Sequence, residues 1–209
     1  MKFKEAAYIY RTHFFLFAAL VLTVWLPCNL FANYVYYASD GPEAEMRYFW
    51  YILLAEHLIG PLYGGALVFS LSRIKLGVPI SYGEAMGVGL SMWLSVLIAR
   101  VVAGVYVTLG FLGLILPGLW MMVRYSFIDF VVVLEGQEGA GARARSSLLT
   151  EGRRWSLVGA VALFVLLYSV VYFLTYLPLT YFSTLSNFWV ESILDSATDV
   201  FFVFITVVF

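Results

Sequence analysis

The sequence predicts an all-α, polytopic integral membrane protein with six transmembrane helices. Of its 209 residues, 63% are hydrophobic and only 12% are charged, whereas a soluble domain carries roughly 45–50% apolar and about 25% charged residues. So few charged side chains cannot cover a soluble protein of this length, and lipid must cover its surface instead. Several apolar runs are also long enough to cross a hydrocarbon core about 30 Å thick.

Each predicted span is a run of about 20 mainly apolar residues, the length that a helix needs to cross the bilayer. Together the spans form a single transmembrane domain over residues 1–209. The sixth span is polar in its first half, so that residues 187–199 either cross the bilayer or lie at its surface. The six spans are residues 14–37, 48–71, 85–109, 112–134, 156–182 and 187–209.

A glycine-rich, uncharged segment between the third and fourth predicted spans closes with Pro117 and Gly118. Because glycine and proline interrupt helices, this segment predicts a tight hairpin at the outer membrane surface. Each odd-numbered span also follows a short segment of small residues with a charge, such as Gly83-Glu84-Ala85. This recurrence either marks three successive helical hairpins or arises by chance.

The basic residues are concentrated in the loops of one side, and the positive-inside rule therefore places both termini in the cytoplasm. The longest of these loops, residues 136–154, is predicted to be an amphipathic helix on the inner membrane face. Its Ala142, Leu148 and Leu149 would enter the apolar zone while its arginines meet anionic headgroups. The nine basic residues of this side are Lys2, Lys4, Arg11, Arg73, Lys75, Arg143, Arg145, Arg153 and Arg154.

Ionisable side chains inside the predicted spans are the candidate functional residues, because a charge at mid-bilayer costs on the order of 2.5–3.5 kcal/mol. Three of them are spaced by four residues and share one helical face; we call Glu191, Asp195 and Asp199 the acidic stripe. The predicted topology places Arg100 and Arg124 in the outer half of the membrane, together with Glu56 and the start of the last span. The two arginines would therefore pair with Glu56 and part of the acidic stripe. The candidate polar network comprises Glu56, His57, Arg100, Arg124, Asp129, Glu191, Asp195 and Asp199.

Three interpretations of this network stay open. The charges either pair between helices and fix their packing, or their acidic excess forms a polar cavity for a cation, a proton or a lipid headgroup. In the third interpretation, a basic span of a partner protein docks against them. His57, next to Glu56 in the sequence, either relays protons or is simply hydrogen-bonded.

Composition and motifs predict neither an enzyme nor a nucleic-acid-binding protein. The net charge of −1 provides no basic face for a phosphate backbone. Cys28, His13 and His57 are too few for a zinc or iron–sulfur site, so no metal and no cofactor are expected. The sequence also contains no His-Glu-x-x-His zinc helix and no Gly-x-Ser-x-Gly elbow.

The stretch of about 40 residues from Leu116 to Trp155 contains five distinctive motifs. They are Leu116-Pro117-Gly118-Leu119-Trp120, Arg124-Tyr125-Ser126, Val131-Val132-Val133-Leu134-Glu135, Ala144-Arg145-Ser146-Ser147 and Gly152-Arg153-Arg154-Trp155. This stretch resembles a group of bacterial and archaeal six-span proteins, which includes the YciC-like inner-membrane proteins and the membrane domain fused to some glycerophosphodiester phosphodiesterases. The resemblance implies a six-helix domain of the cytoplasmic or inner membrane in which Arg124 matters. It does not imply phosphodiesterase activity, since the catalytic domain has no counterpart here.

The leading functional hypothesis is a non-enzymatic accessory or assembly subunit, or a membrane-organising module. Its expected partners are membrane lipids and either another membrane protein or a second copy of the chain. The alternative is a small transporter or a cation, proton or lipid path, in which Glu56, Asp195 and Asp199 line a polar cavity and Arg100 or Arg124 supplies the counter-charge. Lipid handling is a third hypothesis, based on the resemblance and on the basic inner segment.

Overall fold

The computed structural model describes residues 3–38, 41, 43–181 and 187–208. The described residues form helices joined by turns and short connections, which confirms the all-α part of the predicted fold class. Ten helices follow one another along them: α1 (Phe3–Thr12), α2 (Phe14–Tyr37), α3 (Glu43–Leu58), α4 (Gly60–Lys75), α5 (Tyr82–Gly113), α6 (Ile115–Arg124), α7 (Ile128–Glu135), α8 (Gly139–Thr150), α9 (Arg154–Tyr181) and α10 (Phe188–Val208).

Several of the described helices are compatible with a membrane protein by length and composition. A fifth span is present only if α3 and α4, which are separated by a break at Ile59, are counted as one broken span. The predicted count of six is not confirmed, because α10 carries three carboxylates and is not among these helices. The four that qualify alone are Phe14–Tyr37, Tyr82–Gly113, Ile115–Glu135 and Arg154–Leu177.

Two predicted spans are interrupted in the structure. The span predicted at 48–71 breaks at Ile59, immediately before Gly60 and Pro61, because proline restricts the residue before it and cannot donate a backbone hydrogen bond. The span predicted at 112–134 breaks between α6 and α7, where Tyr125–Phe127 form a turn. Neither break removes the helical character of its segment.

The chain divides into two compact units, and each is described by itself. The first consists of Met1–Gly60 and Phe164–Phe209, and the second of Pro61–Leu163. In the first unit, α2 packs against α10 and α3, and α1 packs against α10. The apolar side chains buried there include Phe17 and Leu20 of α2 and Val203 of α10.

The second unit has its core where α5 meets α7. Small and β-branched side chains line this contact, and they allow the two helices to lie close together. Ala142 of α8 is buried in the same core, whereas Leu148 and Leu149 on the same helix are exposed. The core residues that α5 and α7 contribute are Val96, Ala99, Ala103, Ile128, Val131, Val132 and Val133.

Helices α5 and α6 are joined by a turn of a single residue, Leu114, which is extended. Helix α5 continues through Gly110 to Gly113, so the glycine-rich segment is mostly helical and not an open loop. A Cβ atom built on Gly110 would lie 3.0 Å from the Cα atom of Gly118, and one on Gly118 would overlap the ring of Phe111. The hairpin therefore depends on glycine at both positions.

The start of α6 and the start of α9 line one apolar groove in the second unit, and Trp120 and Trp155 both contribute to it. The predicted position of the α5–α6 hairpin at the outer membrane surface stays a prediction.

We expect Gly110→Ala to destabilise the protein by about 1–3 kcal/mol, because the added methyl group meets backbone atoms of α6 that cannot move aside. Gly104→Ala is the matched control, since nothing lies within 4 Å of a Cβ atom there, and alanine is favoured over glycine in a helix by about 0.5–1 kcal/mol. Denaturant titration of the detergent-solubilised variants measures both. Equal stability of the two variants would contradict the close approach of α5 and α6.

Candidate functional site

The acidic stripe of α10 faces three polar side chains of α2 in the first unit. The amide nitrogens of Asn29 and Asn33 donate to the carboxylates of Asp199 and Asp195, each over 2.8 Å. The hydroxyl group of Tyr37 donates to Glu191 over 2.7 Å. The partners advance by four residues along α2 and retreat by four along α10, so the two helices are antiparallel and in register. We call these six residues the polar ladder.

Two serines of α10 extend the ladder. The Asn33 amide lies 3.3 Å from the Ser192 hydroxyl oxygen, and the Asn29 amide lies 3.4 Å from that of Ser196. Both asparagines are buried, with 6% and 3% of their surfaces exposed. A buried amide left without a partner costs about 1–3 kcal/mol. The ladder therefore penalises any sliding of α2 along α10, and it fixes their register.

Tyrosines of α9 flank the ladder within the first unit. The Tyr176 hydroxyl group donates to Asp195. The rings of Tyr168, Tyr172 and Tyr176 stack in sequence, with centroids 6.1 Å and 4.4 Å apart. Tyr168 also packs on Phe202 of α10, at a centroid distance of 4.3 Å. An aromatic column with hydroxyl groups thus runs beside the carboxylates.

The hydrogen-bond donors to Asp195 and Asp199 are neutral amides and a phenol. Within the described ranges, ion pairs join Arg47 to Glu43, Arg100 to Asp129 and Arg145 to Glu135, and none of them includes either aspartate. Neutral donors satisfy carboxyl oxygens without supplying a counter-charge. Among the described residues, the ladder therefore pairs these two aspartates with polar groups and not with cations.

Arg100 and Asp129 form an ion pair inside the second unit. The Arg100 Nε atom donates to both carboxylate oxygens of Asp129, over 3.1 and 3.0 Å. Gly64 of α4 provides space for the guanidinium group, since a Cβ atom there would lie 2.6 Å from Arg100 Nη2. Two members of the predicted network thus meet each other and connect α5 to α7.

Arg124 is held by α8. Its Nε atom donates to the Ser147 hydroxyl oxygen over 2.8 Å, and the Ser146 hydroxyl group donates to its backbone carbonyl over 3.0 Å. The predicted pairing of Arg100 and Arg124 with Glu56 and the stripe would join residues of different units. That pairing stays a prediction.

Glu56 and His57 lie on exposed positions near the end of α3. The Nδ1 atom of His57 is 2.8 Å from the backbone carbonyl oxygen of Leu53, one turn earlier. This contact favours the simpler interpretation of the histidine, in which it is locally hydrogen-bonded. Within the part of the chain that the structure describes, no group of three or more histidine, cysteine, aspartate or glutamate side chains could hold a metal ion.

Sequence reasoning missed the α2 half of the ladder. Asn29, Asn33 and Tyr37 recur at four-residue steps within an otherwise apolar helix, which is the same spacing as the acidic stripe. Buried polar side chains in apolar helices usually have partners. The matched spacing was therefore a usable signal for pairing α2 with α10.

No family model, curated protein or solved structure matches this chain. The resemblance to the YciC-like group that the motifs between Leu116 and Trp155 suggest stays a prediction. Two of those motifs meet in the structure, since Arg124 of the second contacts Ser146 and Ser147 of the fourth.

We expect Asn33→Asp to destabilise the protein by about 3 kcal/mol, because it places a second carboxylate opposite Asp195 and removes the amide donor. Adding Asp195→Asn should restore most of this loss, because the amide and the carboxylate then exchange helices. Asn187→Asp is the control, since an aspartate keeps the side-chain oxygen that accepts from the backbone N–H of Val190. Unfolding free energies in detergent measure the three variants and the wild type, and a double variant no more stable than Asn33→Asp would contradict the ladder.

Proposed function

We propose that this chain is a non-enzymatic, six-span protein of a bacterial or archaeal cytoplasmic (inner) membrane, with both termini in the cytoplasm. It acts as an accessory or assembly subunit, or as a membrane-organising module. The basic loops support the orientation. The ladder supports α10 as the sixth span, because pairing from Glu191–Tyr37 to Asp199–Asn29 puts these residues of α10 at the same depth as α2.

The observation that carries the accessory role is the surface of α9. This helix has the highest mean hydropathy of the four candidate spans, and none of the residues in its most apolar stretch is buried. The exposed side chains include Leu166, Phe173 and Leu174, each with roughly 60% of its surface accessible. Such a surface needs lipid or another protein to cover it.

The carboxylates inside the helices support the same accessory role, because they have hydrogen-bond partners within this chain. Asp195, Asp199 and Asp129 each accept hydrogen bonds from side chains of this chain. Carboxylates whose donors are supplied internally serve to hold helices together. The chain thus uses its polar groups for its own packing and presents apolar surface outward, which is typical of a subunit that associates within a membrane.

Native mass spectrometry of gently solubilised protein tests this proposal. We expect a stoichiometric membrane partner or a second copy of the chain. The double variant Phe173→Ala, Leu174→Ala should lower the association constant of this complex about thirtyfold, which is the effect of losing a contact worth about 2 kcal/mol. Leu90→Ala, at an equally exposed apolar position of α5, is the control. A wild-type chain that remains a bare monomer in several mild detergents would contradict the accessory role.

A path for protons or cations is the second candidate function. It is favoured by the neutral donors around Asp195 and Asp199, which supply no counter-charge, and by the hydroxyl groups of Tyr168, Tyr172 and Tyr176 beside them. Carboxylates of this kind in spans line proton and cation pathways in transporters. Here the path would follow the polar ladder.

If the ladder is a path, Asp199→Asn in proteoliposomes should lower the flux at least about tenfold, while folding is retained because an amide oxygen can still accept from Asn29. A trapped pH-sensitive dye under an imposed proton or cation gradient measures this flux. Glu45→Gln, at an exposed position of α3, should leave it unchanged. Wild-type flux equal to that of empty liposomes would rule out the path and leave the ladder as a packing device.

A further inference from the structure

Two guanidinium groups converge on one serine in the second unit. The Arg124 Nε atom donates to the Ser147 hydroxyl oxygen over 2.8 Å. The Arg154 Nη2 atom lies 3.4 Å from the same oxygen and 3.4 Å from the Ser147 backbone carbonyl oxygen. The guanidinium carbon of Arg154 also lies 4.6 Å from the centre of the Trp120 ring.

The positive charge of this pair is not balanced by any ion pair within the described ranges. Among the described residues, no carboxylate lies within 4.0 Å of either arginine, since the ion pairs there involve other side chains. The Nε atom of Arg154 is buried and has no hydrogen-bond partner in the described part of the chain. Two neighbouring cations without an acidic partner are costly unless an anion joins them.

An apolar groove adjoins this cationic site. Its volume is about 420 Å³, and it lies between the start of α6 and the start of α9. Trp120 belongs to both features, because its ring lies under Arg154 and also forms part of the groove wall. The groove is lined by Leu116, Pro117, Leu119, Trp120, Trp155 and Val158.

We propose that Arg124, Arg154 and Ser147 bind the phosphate group of an anionic phospholipid, with one of its acyl chains in the adjoining groove. Guanidinium groups present paired N–H donors that match phosphate oxygens. Only an amphiphile uses both halves of the site, since a free phosphate leaves the apolar groove empty. Basic pockets between membrane helices bind such headgroups.

This site goes beyond the accessory role and does not depend on it. Neither arginine is part of the polar ladder, and the groove lies at the start of α9, away from Phe173 and Leu174. A chain that binds no protein partner can still bind the lipid here. The reverse also holds, so the two proposals fail separately.

Thermal unfolding of the full-length protein in detergent, with native mass spectrometry of the same samples, tests the site. Phosphatidylglycerol is compared with diacylglycerol, which has the same chains and no phosphate, and with glycerol phosphate, which has no chains. We expect phosphatidylglycerol to bind and stabilise the protein at concentrations at least about tenfold lower than either. Equal effects of diacylglycerol would overturn the role of the arginines, and equal effects of glycerol phosphate would overturn the role of the groove.

Substitutions of single arginines test whether phosphatidylglycerol binds at this site. We expect Arg124→Gln and Arg154→Gln each to weaken phosphatidylglycerol binding about tenfold, the scale of one charge-assisted hydrogen bond. Arg153→Gln removes the same charge from the neighbouring exposed position and should change binding less than twofold. Arg154→Lys keeps the charge but not the paired donors, and it should retain part of the affinity even if the glutamine variant folds poorly. An equal loss in Arg153→Gln would reduce the effect to general surface charge and overturn the site.

Discussion

The first unit depends on hydrogen bonds between buried amides and carboxylates in apolar surroundings. In water each of these groups would find a partner at no cost, whereas in a lipid-covered interior it must find one on a neighbouring helix. The ladder meets this requirement at successive turns, with Asn29 and Asn33 opposite Asp199 and Asp195. Because the side-chain contacts between helices in lipid gain little from apolar burial, such polar contacts decide which helices pair and in which register.

The second unit meets the same requirement differently. Arg100 and Asp129 are oppositely charged and satisfy each other, so the pair is complete within the chain. Arg124 and Arg154 share a serine and have no acidic partner among the described residues. An arginine that already has a carboxylate partner, such as Arg100, serves to hold helices together. Within the described ranges Arg124 and Arg154 have no such partner, and they are therefore the stronger candidates for a ligand site.

Much of the helical content could be predicted from sequence, because long apolar runs have few alternatives in lipid. The ionisable residues were also found, since charges inside such runs are conspicuous. Their partners were not, because pairing between helices depends on which helices become neighbours, and a single sequence gives that only through subtle matches such as the spacing of Asn29 and Asn33. The break at Tyr125–Phe127 was missed for a related reason: it contains neither glycine nor proline, so no local signal marks it.

The polar ladder joins opposite ends of the chain, and Asn29 is separated from Asp199 by 170 residues. At synthesis rates of roughly 5–20 residues per second, the asparagine emerges about 10–30 seconds before its aspartate. During that interval its amide needs a temporary partner, such as water, a lipid headgroup or the insertion machinery. The pairing of α2 with α10 therefore forms only after α10 has been synthesised.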